Sequence, residues 1–513
     1  MKILNASQIR EADAYTIKNE PVKSIDLMER ASAECTAHIL PLFDKSFKFF
    51  IFCGTGNNGG DGLAISRQLF EKGYDVAVYI LDFSSKESDD FVSNKKSLKK
   101  YGIKTCNLSE KRFPTLTGKS VIIDCIFGTG LSKPVEGEYA MVIHHINKAA
   151  IRGIPVIAID FPSGLFAEDN SSNTLKNIVK ANVTLTFQVP KLAFLFAENA
   201  IYTGKWKVVN IGLDSSYIER ISSPFCFVDY NTAASLFKKR EKFAHKGTYG
   251  HALIIAGSYG KMGAAVLAAK ACLRSGPGLL TTQIPKTGFQ ILQTTVPESM
   301  LSIDNNEQNI SESIDIKKYS SIGAGPGIGK ENETVTVIKM LIQNATSPLI
   351  LDADALNILS ENKTWLSFLP LNTILTPHPK EFERLAGKSK NSFERLTLLR
   401  EFAQKYQVTV ILKGAHTAIA FSDGSVYFNS TGNPGMATGG SGDVLTGVLT
   451  GLLAQGYNVF QAGLFGVYLH GLAGDLARED FGEDALIASD IINNLPGAFL
   501  LMSDKKQRSD FTN

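Results

Sequence analysis

Apolar and polar positions along the chain follow two alternating periods. From Ser24 to Leu40 apolar residues recur three and four apart, which predicts a helix that Pro41 stops. Phe47–Cys53 is a short continuous apolar run, the pattern of a strand buried on both faces. A Gly-rich loop, a helix over about Gly62–Lys72 and a strand over Asp75–Leu81 follow. Later strands are expected over Ser120–Cys125, Pro155–Asp160, Ala181–Phe187 and Lys205–Asn210. Residues 214–240 break the rhythm. Asp214-Ser215-Ser216 and Ser222-Ser223-Pro224 carry turn chemistry, and Lys238–Lys242 is a charge run. The rhythm then restarts with a strand over His251–Ala256 and an Ala-rich helix over Met262–Arg274. Strands are expected over Ser320–Gly323, Pro348–Leu351, Val408–Leu412, Thr417–Phe421 and Ser425–Phe428, and helices from Gly442 to about Gln455 and from Val459 to Leu476. Such alternation predicts parallel sheets with helices on both faces, an α/β class. The N-terminal half reads as a Rossmann-like doubly wound sheet. With the boundary near 215–228, the expected domains are 1–218 and 225–505.

Composition narrows the class without changing it. The 513 residues are 44% hydrophobic and 20% charged, with a formal net charge of +3. That suits two globular domains and gives no reason to expect a nucleic-acid or membrane-surface partner. No run of about 18 apolar residues occurs, so no membrane span is expected, and no apolar stretch behind Met1–Ser7 reads as a secretory signal. The six cysteines, Cys35, Cys53, Cys106, Cys125, Cys226 and Cys272, are scattered without a CxxC pair. They are expected to be buried reduced thiols, which points to the cytoplasm.

The first candidate chemistry lies in Gly54-Thr55-Gly56-Asn57-Asn58-Gly59-Gly60-Asp61-Gly62. Gly54, Gly56 and Gly59 satisfy G-x-G-x-x-G, a weak dinucleotide signal that a plain strand-to-helix turn also satisfies. Asn57, Asn58 and Asp61 go beyond that signal, because clustered amide and carboxylate oxygens can ligate a cation or hold ribose hydroxyls. Asp124 ends another strand and leads into Gly128–Pro134. Asp160 ends a third and leads into Phe161-Pro162-Ser163-Gly164. Ligands of open parallel sheets bind outside the carboxyl ends of the strands, so the three loops are expected to converge on one pocket. The alternative for each Asp alone is a cap or a turn.

The set NNGGDG (57–62), DCIFGTGLSKPVEG (124–137), IDFPSG (159–164) and VPKLAF (189–194) is similar to the NAD(P)HX epimerase domain over about residues 1–215. The resemblance implies a site for a hydrated nicotinamide ring and epimerisation at its C6. It implies a potassium ion held by Asn58, Asp124 and Ser163. It also implies a dinucleotide lined by Asn57, Asn58, Gly59, Gly60 and Asp61 and by Gly128, Thr129, Gly130, Leu131, Ser132, Lys133 and Pro134. Asp160 is the catalytic candidate beside the reacting carbon; Glu138 and Lys191 are further candidates.

The second candidate is Gly439-Gly440-Ser441-Gly442-Asp443-Val444-Leu445-Thr446-Gly447. Glycines at a helix start expose backbone N–H groups, and the helix end adds partial positive charge, so the segment can form an anion hole for phosphate. Asp443 stands where a carboxylate could take a proton from an attacking hydroxyl. A cap alone would explain the acid but not the glycines. The pattern resembles the GxGD signature of ribokinase-like kinases. With HKGTYG (245–250), GAGPGIG (323–329), DADALN (352–357), TPHPKEF (376–382) and KGAHT (413–417), it is similar to ADP-dependent NAD(P)HX dehydratase over nearly all of 236–500. The resemblance implies a ribokinase-like fold in which Lys413, Gly414, Ala415, His416, Thr417 and Gly442 contact the nucleotide. Ala264, Gly327, His378 and Asp443 would contact the hydrated dinucleotide, with Asp443 catalytic. His378 also has a purely structural reading. The implied reaction phosphorylates the ring hydroxyl from ADP, with Mg²⁺, and eliminates phosphate to restore NADH or NADPH. Hydrated NADH and NADPH are the expected substrates, and a homo-oligomer is expected. Two other readings stay open: a vitamin or sugar kinase fused to a dinucleotide-binding module, and a dehydrogenase using the first Gly loop. Against the dehydrogenase, the nearest acid, Asp82, lies later than the roughly 20 residues that the ribose contact requires.

Overall fold

The computed structural model describes residues 1–20, 22–83, 86–108 and 113–503. The chain divides into two compact units, Met1–Ser223 with Asn391–Phe393, and Pro224–Lys390 with Glu394–Asn513.

Seven strands form the sheet of the first unit: β1 (Lys48–Cys53), β2 (Asp75–Ile80), β3 (Thr105–Asn107), β4 (Ser120–Cys125), β5 (Val156–Ile159), β6 (Val183–Phe187) and β7 (Lys205–Val209). Their order is β3-β2-β1-β4-β5-β6-β7, all parallel. This is the doubly wound arrangement, and the chain reverses its direction of travel between β1 and β4. Phe49, Ile51 and Cys53 pack into one core with the helices Ser24–Ile39 and Asn57–Glu71, while Phe50 and Phe52 pack into another with the helix Gly137–Ile151. Both faces of β1 are therefore covered, which is why its sequence reads as an unbroken apolar run.

The second unit holds β8 (Phe225–Val228), β9 (His251–Ile255), β10 (Leu279–Ile284), β11 (Met300–Ile303), β12 (Ser321–Ala324), β13 (Leu349–Leu351), β14 (Thr373–Leu375), β15 (Thr409–Leu412), β16 (Ala418–Ala420) and β17 (Val426–Asn429). They form one sheet in the order β11-β10-β9-β12-β13-β14-β15-β16-β17-β8. The sheet is parallel except that β16 runs antiparallel to both neighbours. The helices Ser441–Ala454 and Val459–Phe481 supply much of the core on one face.

The α/β class and the doubly wound first sheet stand as the sequence predicts; several details differ. The first Gly-rich helix begins at Asn57, not near Gly62. The backbone carbonyl of Gly54 occupies the space where a Cβ at Gly59 would go, so Gly59 serves close helix-to-strand packing inside the helix. Residues 214–240 are structured. Asp214 and Asp229 cap the helices Ser215–Arg220 and Tyr230–Leu236, accepting from Tyr217 N and Thr232 N, each at 2.8 Å. Of the residues that read as turns, Asp214 is a cap and Ser215 and Ser216 open its helix, while Ser222-Ser223-Pro224 lead into β8. The helix Val459–Phe481 runs past Leu476 and ends at Gly482, whose φ is +73°. β3, β8, β10, β11 and β14 escape the sequence pattern. In β10 the buried run Leu280–Ile284 is apolar only at its two ends, with Thr281-Thr282-Gln283 between them, and β3 and β14 are three residues long. Of the cysteines, Cys35, Cys53, Cys125 and Cys272 are buried, but Cys226 is half-buried and Cys106 is exposed on the edge strand β3. None is in a disulfide. Among the described residues no helix is long and apolar enough to cross a membrane.

Candidate active sites

In the first unit the loops after β1, β4, β5 and β6 bring the chemistry together at the carboxyl ends of adjacent strands. Asp160, directly after β5, has φ +61°, a conformation that side-chain-bearing residues adopt at a cost of about 1–3 kcal/mol. Its carboxylate is held from three sides. Oδ2 accepts from Thr129 N at 3.3 Å, and Oδ1 accepts from Phe187 N at 3.3 Å and Thr186 Oγ1 at 3.4 Å. Lys191 Nζ lies 3.5 Å from Oδ1. The Lys191 side chain is 1% exposed and donates to Thr186 Oγ1 at 3.0 Å, Phe187 O at 2.8 Å and Val189 O at 3.1 Å. Burial lowers its pKa, and Asp160 opposes that shift.

Asp61 points into the protein. Burial first, then the charges of Asp160, Asp13 and Asp90, push its carboxyl well above the usual carboxylate range. Asp13, on the helix Ala6–Asn19, is pushed up to about 6 by burial and by Asp160, with Lys191 opposing. Sequence reasoning missed Asp13. It lies on an amphipathic helix far from every motif, and no local signal marks it.

Asp124 is fully buried. Its Oδ1 accepts from Ser163 Oγ at 2.6 Å and Ile126 N at 3.2 Å, and Oδ2 accepts from Ser163 N at 2.7 Å. Burial pushes its carboxyl up to about 6 despite these bonds. Asn58 is 8% exposed, and neither its amide nitrogen nor its amide oxygen has a hydrogen-bond partner among the described residues. A Cβ placed on Gly128 would lie 3.3 Å from Asp160 Oδ2 and 3.4 Å from Asn58 Cβ, so Asn58 and Asp160 flank the same glycine. A buried amide without a partner costs about 1–3 kcal/mol, and a cation or a ligand polar group would relieve it. Of Asn58, Asp124 and Ser163, Asn58 alone has unmet polar atoms for an ion or a ligand. Asn57, Gly130, Ser132 and Lys133 are exposed, while Gly128, Thr129, Leu131, Pro134 and Glu138 are half-buried. Gly59 and Gly60 are buried inside the helix.

The second unit carries a cavity of about 680 Å³. His378, Lys413, Gly414, Ala415, Thr417 and Gly442 line it, together with Asn433 and Met436, which belong to the Gly-rich motif that runs from Gly432 to Gly447, and His470, which sequence reasoning did not single out. Gly440 has φ +92° and precedes the helix Ser441–Ala454; no side chain caps that helix start. Asp443 lies in its first turn, half-buried. Burial, then Asp352 and Asp354, push its carboxyl up to about 6, with Lys413 opposing. Lys413 Nζ is 2.9 Å from Asp352 Oδ1, and its pKa is raised because Asp352 outweighs burial. Ala264 and Gly327 adjoin each other, since a Cβ on Gly327 would lie 3.1 Å from that of Ala264. They stand beside Lys261, which pairs with Asp354 at 3.5 Å.

His378 caps the helix Pro379–Ala386. Its Nδ1 accepts from Lys380 N at 3.1 Å and Glu381 N at 3.3 Å, and Glu381 Oε2 accepts from His378 N at 2.8 Å. It serves as a cap and lines the cavity as well. His416 hydrogen-bonds the Asn429 carbonyl at 3.2 Å and is absent from the cavity lining. His470 donates from Nε2 to the Ser441 carbonyl at 3.0 Å, and burial lowers its pKa to about 4, so it is neutral. Its motif-free position inside a long helix gave no signal.

Residues 24–193 match the family described as YjeF-related protein N-terminus, and residues 252–497 match NAD(P)H-hydrate dehydratase. The chain is 35% identical to a bifunctional NAD(P)H-hydrate repair enzyme of Moorella thermoacetica, over 97% of this chain and 96% of the relative. It is 36% identical to the enzyme of that name from Thermofilum pendens, again over 97% and 96%. Among solved structures, the ADP/ATP-dependent NAD(P)H-hydrate dehydratase of Bacillus subtilis, co-crystallised with ATP and Mg²⁺, is 30% identical. It covers 54% of this chain and 99% of its own, with a TM-score of 0.46.

Proposed function

The chain belongs to the family of bifunctional NAD(P)H-hydrate repair enzymes, and from that membership we propose how its two halves divide the reaction. It carries an epimerase domain and a dehydratase domain. The first interconverts the R and S forms of hydrated NADH and NADPH at C6. The second converts the S form to NADH or NADPH with ADP as phosphoryl donor. Residues 1–218 and 225–505 are the two catalytic domains, and the enzyme is cytoplasmic and homo-oligomeric.

In the epimerase, Asp160 is the acid or base beside the hydroxyl-bearing carbon. Lys191 and the Thr129 and Phe187 amides hold its carboxylate in one orientation, the geometric condition for proton transfer. Asn57–Asp61, Gly128–Pro134 and Glu138 take the dinucleotide. Asn58, Asp124 and Ser163 hold potassium, and the partnerless Asn58 amide supports that assignment. When bound, potassium supplies a positive charge among buried carboxylates.

In the dehydratase, Lys413–Thr417 and Gly442 take the nucleotide, while Ala264, Gly327 and His378 take the hydrated dinucleotide. Asp443 accepts the proton of the ring hydroxyl as that oxygen attacks the terminal phosphorus. AMP departs, and phosphate then leaves C6 while the adjacent ring carbon gives up a proton to solvent, so that the C–H electron pair re-forms the ring double bond. The glycine amides at 439–442 stabilise the transferring phosphoryl group. Magnesium, when bound with the nucleotide, neutralises its polyphosphate. The observation that carries this reading is that Asp443 lies in the first turn of the helix whose start, Ser441 and Gly442, lines the cavity together with Lys413. The test is incubation of hydrated NADH with the enzyme, Mg²⁺ and ADP. Return of the reduced-nicotinamide absorbance with release of free phosphate is expected; a stable phosphorylated product without that absorbance would refute the reading.

A further inference from the structure

Asp352 has no part in the roles above, yet both of its carboxylate oxygens are engaged inside the second site. It follows β13 and is 1% exposed. Its Oδ1 lies 2.9 Å from Lys413 Nζ, and its Oδ2 accepts from Thr446 Oγ1 at 2.8 Å. Lys413 leads out of β15, and Thr446 stands one turn beyond Asp443 on the helix Ser441–Ala454. One carboxylate therefore ties two strand ends to the helix turn that presents Asp443. The next residue, Ala353, has φ +48°, a strained conformation for alanine. Bonds from Asp352 N to Ala324 O at 3.1 Å and from Ala355 N to Asp352 O at 3.0 Å hold it there. A Cβ on Gly442 would lie 3.4 Å from Lys413 Nζ and 3.7 Å from Asp352 Oδ2, so the ion pair rests against the backbone of the Gly loop.

We propose that Asp352 is a positioning residue of the dehydratase: it holds the Lys413 ammonium against Gly442 and, by balancing that charge, keeps Asp443 basic enough to take a proton. The proposal rests on the reading of Asp443 as the base. A lysine on its four-carbon stem, freed from Asp352, would turn its charge toward Asp443. An unbalanced ammonium stabilises a carboxylate and weakens it as a base. The charged groups facing Asp443 are Asp352, Asp354 and Lys413, and Lys413 in turn senses Glu381, His378 and His470. Removing Asp352 leaves Lys413 dominant among them.

The test is the pH profile of kcat/KM for dehydration of hydrated NADH by the full chain with saturating ADP and Mg²⁺. Asp352→Asn is expected to move the acid limb down by about 1 pH unit and to lower the plateau. Asp352→Glu keeps the charge, so it should lower the rate with the limb in place. Lys413→Gln should move the limb up. Where a variant turns over too slowly, the Asp443 carboxyl titration is read by difference infrared spectroscopy against Asp443→Asn. The melting transition of the second unit in the same samples reports folding. If Asp352→Asn unfolds, Lys413→Gln decides. A limb that stays in place in Asp352→Asn or in Lys413→Gln overturns the proposal. An Asp443→Asn enzyme of normal rate overturns the underlying reading of the base instead.

Discussion

Ser163 and Asp124 engage each other through both carboxylate oxygens. The serine hydroxyl lies 2.6 Å from Oδ1 and the serine amide 2.7 Å from Oδ2. Ser163 Oγ also accepts from Phe127 N at 2.9 Å. Two of the three residues assigned to potassium therefore already tie the loop after β4 to the loop after β5, while the side chain of the third, Asn58, has no hydrogen-bond partner among the described residues. Structural and ligand roles divide unequally among them, and two predictions follow from that division.

Asn58→Ala should leave the fold intact, because it removes a buried amide that bonds to nothing. Potassium at 100 times its Kd stabilises a fold whose site it occupies by about 2.7 kcal/mol, which raises the melting temperature. That potassium-dependent rise should vanish in Asn58→Ala, and epimerisation should fall with it. Asp124→Asn should instead destabilise the first unit by about 1–3 kcal/mol even without potassium, since it breaks buried bonds to Ser163 and Ile126. Thermal melts in potassium and in choline chloride check both. An Asn58→Ala protein with an undiminished potassium-dependent rise would remove Asn58 from the ion site.

Asp160→Asn should lower epimerisation by about 10²–10⁴ and leave dehydration of the S hydrate unchanged. The two activities, assayed separately on one preparation, provide the check. Loss of both would indicate damage beyond the site.

The residues with backbone chemistry were legible in the sequence, and those acting through space were not. Gly54, Gly56 and Gly59 announced a strand-to-helix turn, and Gly439–Gly442 an anion-binding helix start, because glycine requirements are local. Asp13 and His470 carry no local pattern, and Asp352 opens the DADALN block (352–357) without any sign there of its partner. Asp13 reaches Asp160 from a helix more than a hundred residues away in sequence, and Asp352 meets Lys413 only because β13, β14 and β15 are neighbours in the sheet. The fold was legible where strands are continuous apolar runs, as in β1 and β4. It was not where buried polar residues make the strand, as at Thr281-Thr282-Gln283 in β10, or where caps such as Asp214 and Asp229 look like loop residues.

Residues 1–223 and 224–513 should each fold when expressed alone, because each unit has its own sheet and its own cores. The first fragment is expected to retain epimerase activity and the second to retain dehydration. If neither fragment gives a cooperative melt while the full chain does, the units are not independent.

Dehydration should lose rate on the acid side of neutrality. Asp443 works as a base only when ionised, and its carboxyl is pushed up to about 6. Below that pH its protonated form dominates, so kcat/KM should fall about tenfold per pH unit. Asp443→Asn, which keeps shape, should remove the activity while retaining nucleotide binding and a near-normal melt. A profile flat down to pH about 4, the ordinary range for an aspartate, would show that no buried carboxylate limits the step.

The two glycines that open the phosphate loop should respond in opposite ways to alanine. A Cβ on Gly439 meets nothing within 4 Å. At Gly440 the φ of +92° already disfavours alanine, and a Cβ there would also lie 2.5 Å from Leu267 Cδ1. Gly440→Ala should therefore destabilise the second unit by about 1–3 kcal/mol, the ordinary range for a residue held at an unfavourable backbone conformation. Gly439→Ala should melt normally. If the loop's amides cradle phosphate, the added methyl stands where a phosphate oxygen must approach, so Gly439→Ala should raise the KM for ADP and lower kcat. If the loop is only a turn, Gly439→Ala should be silent in both. Calorimetric binding of ADP and Mg²⁺ to the two variants, set beside their melts, separates these cases. Wild-type affinity in a normally folded Gly439→Ala protein would exclude the loop as the anion hole and leave the phosphate to Lys413 and the other residues of the cavity wall.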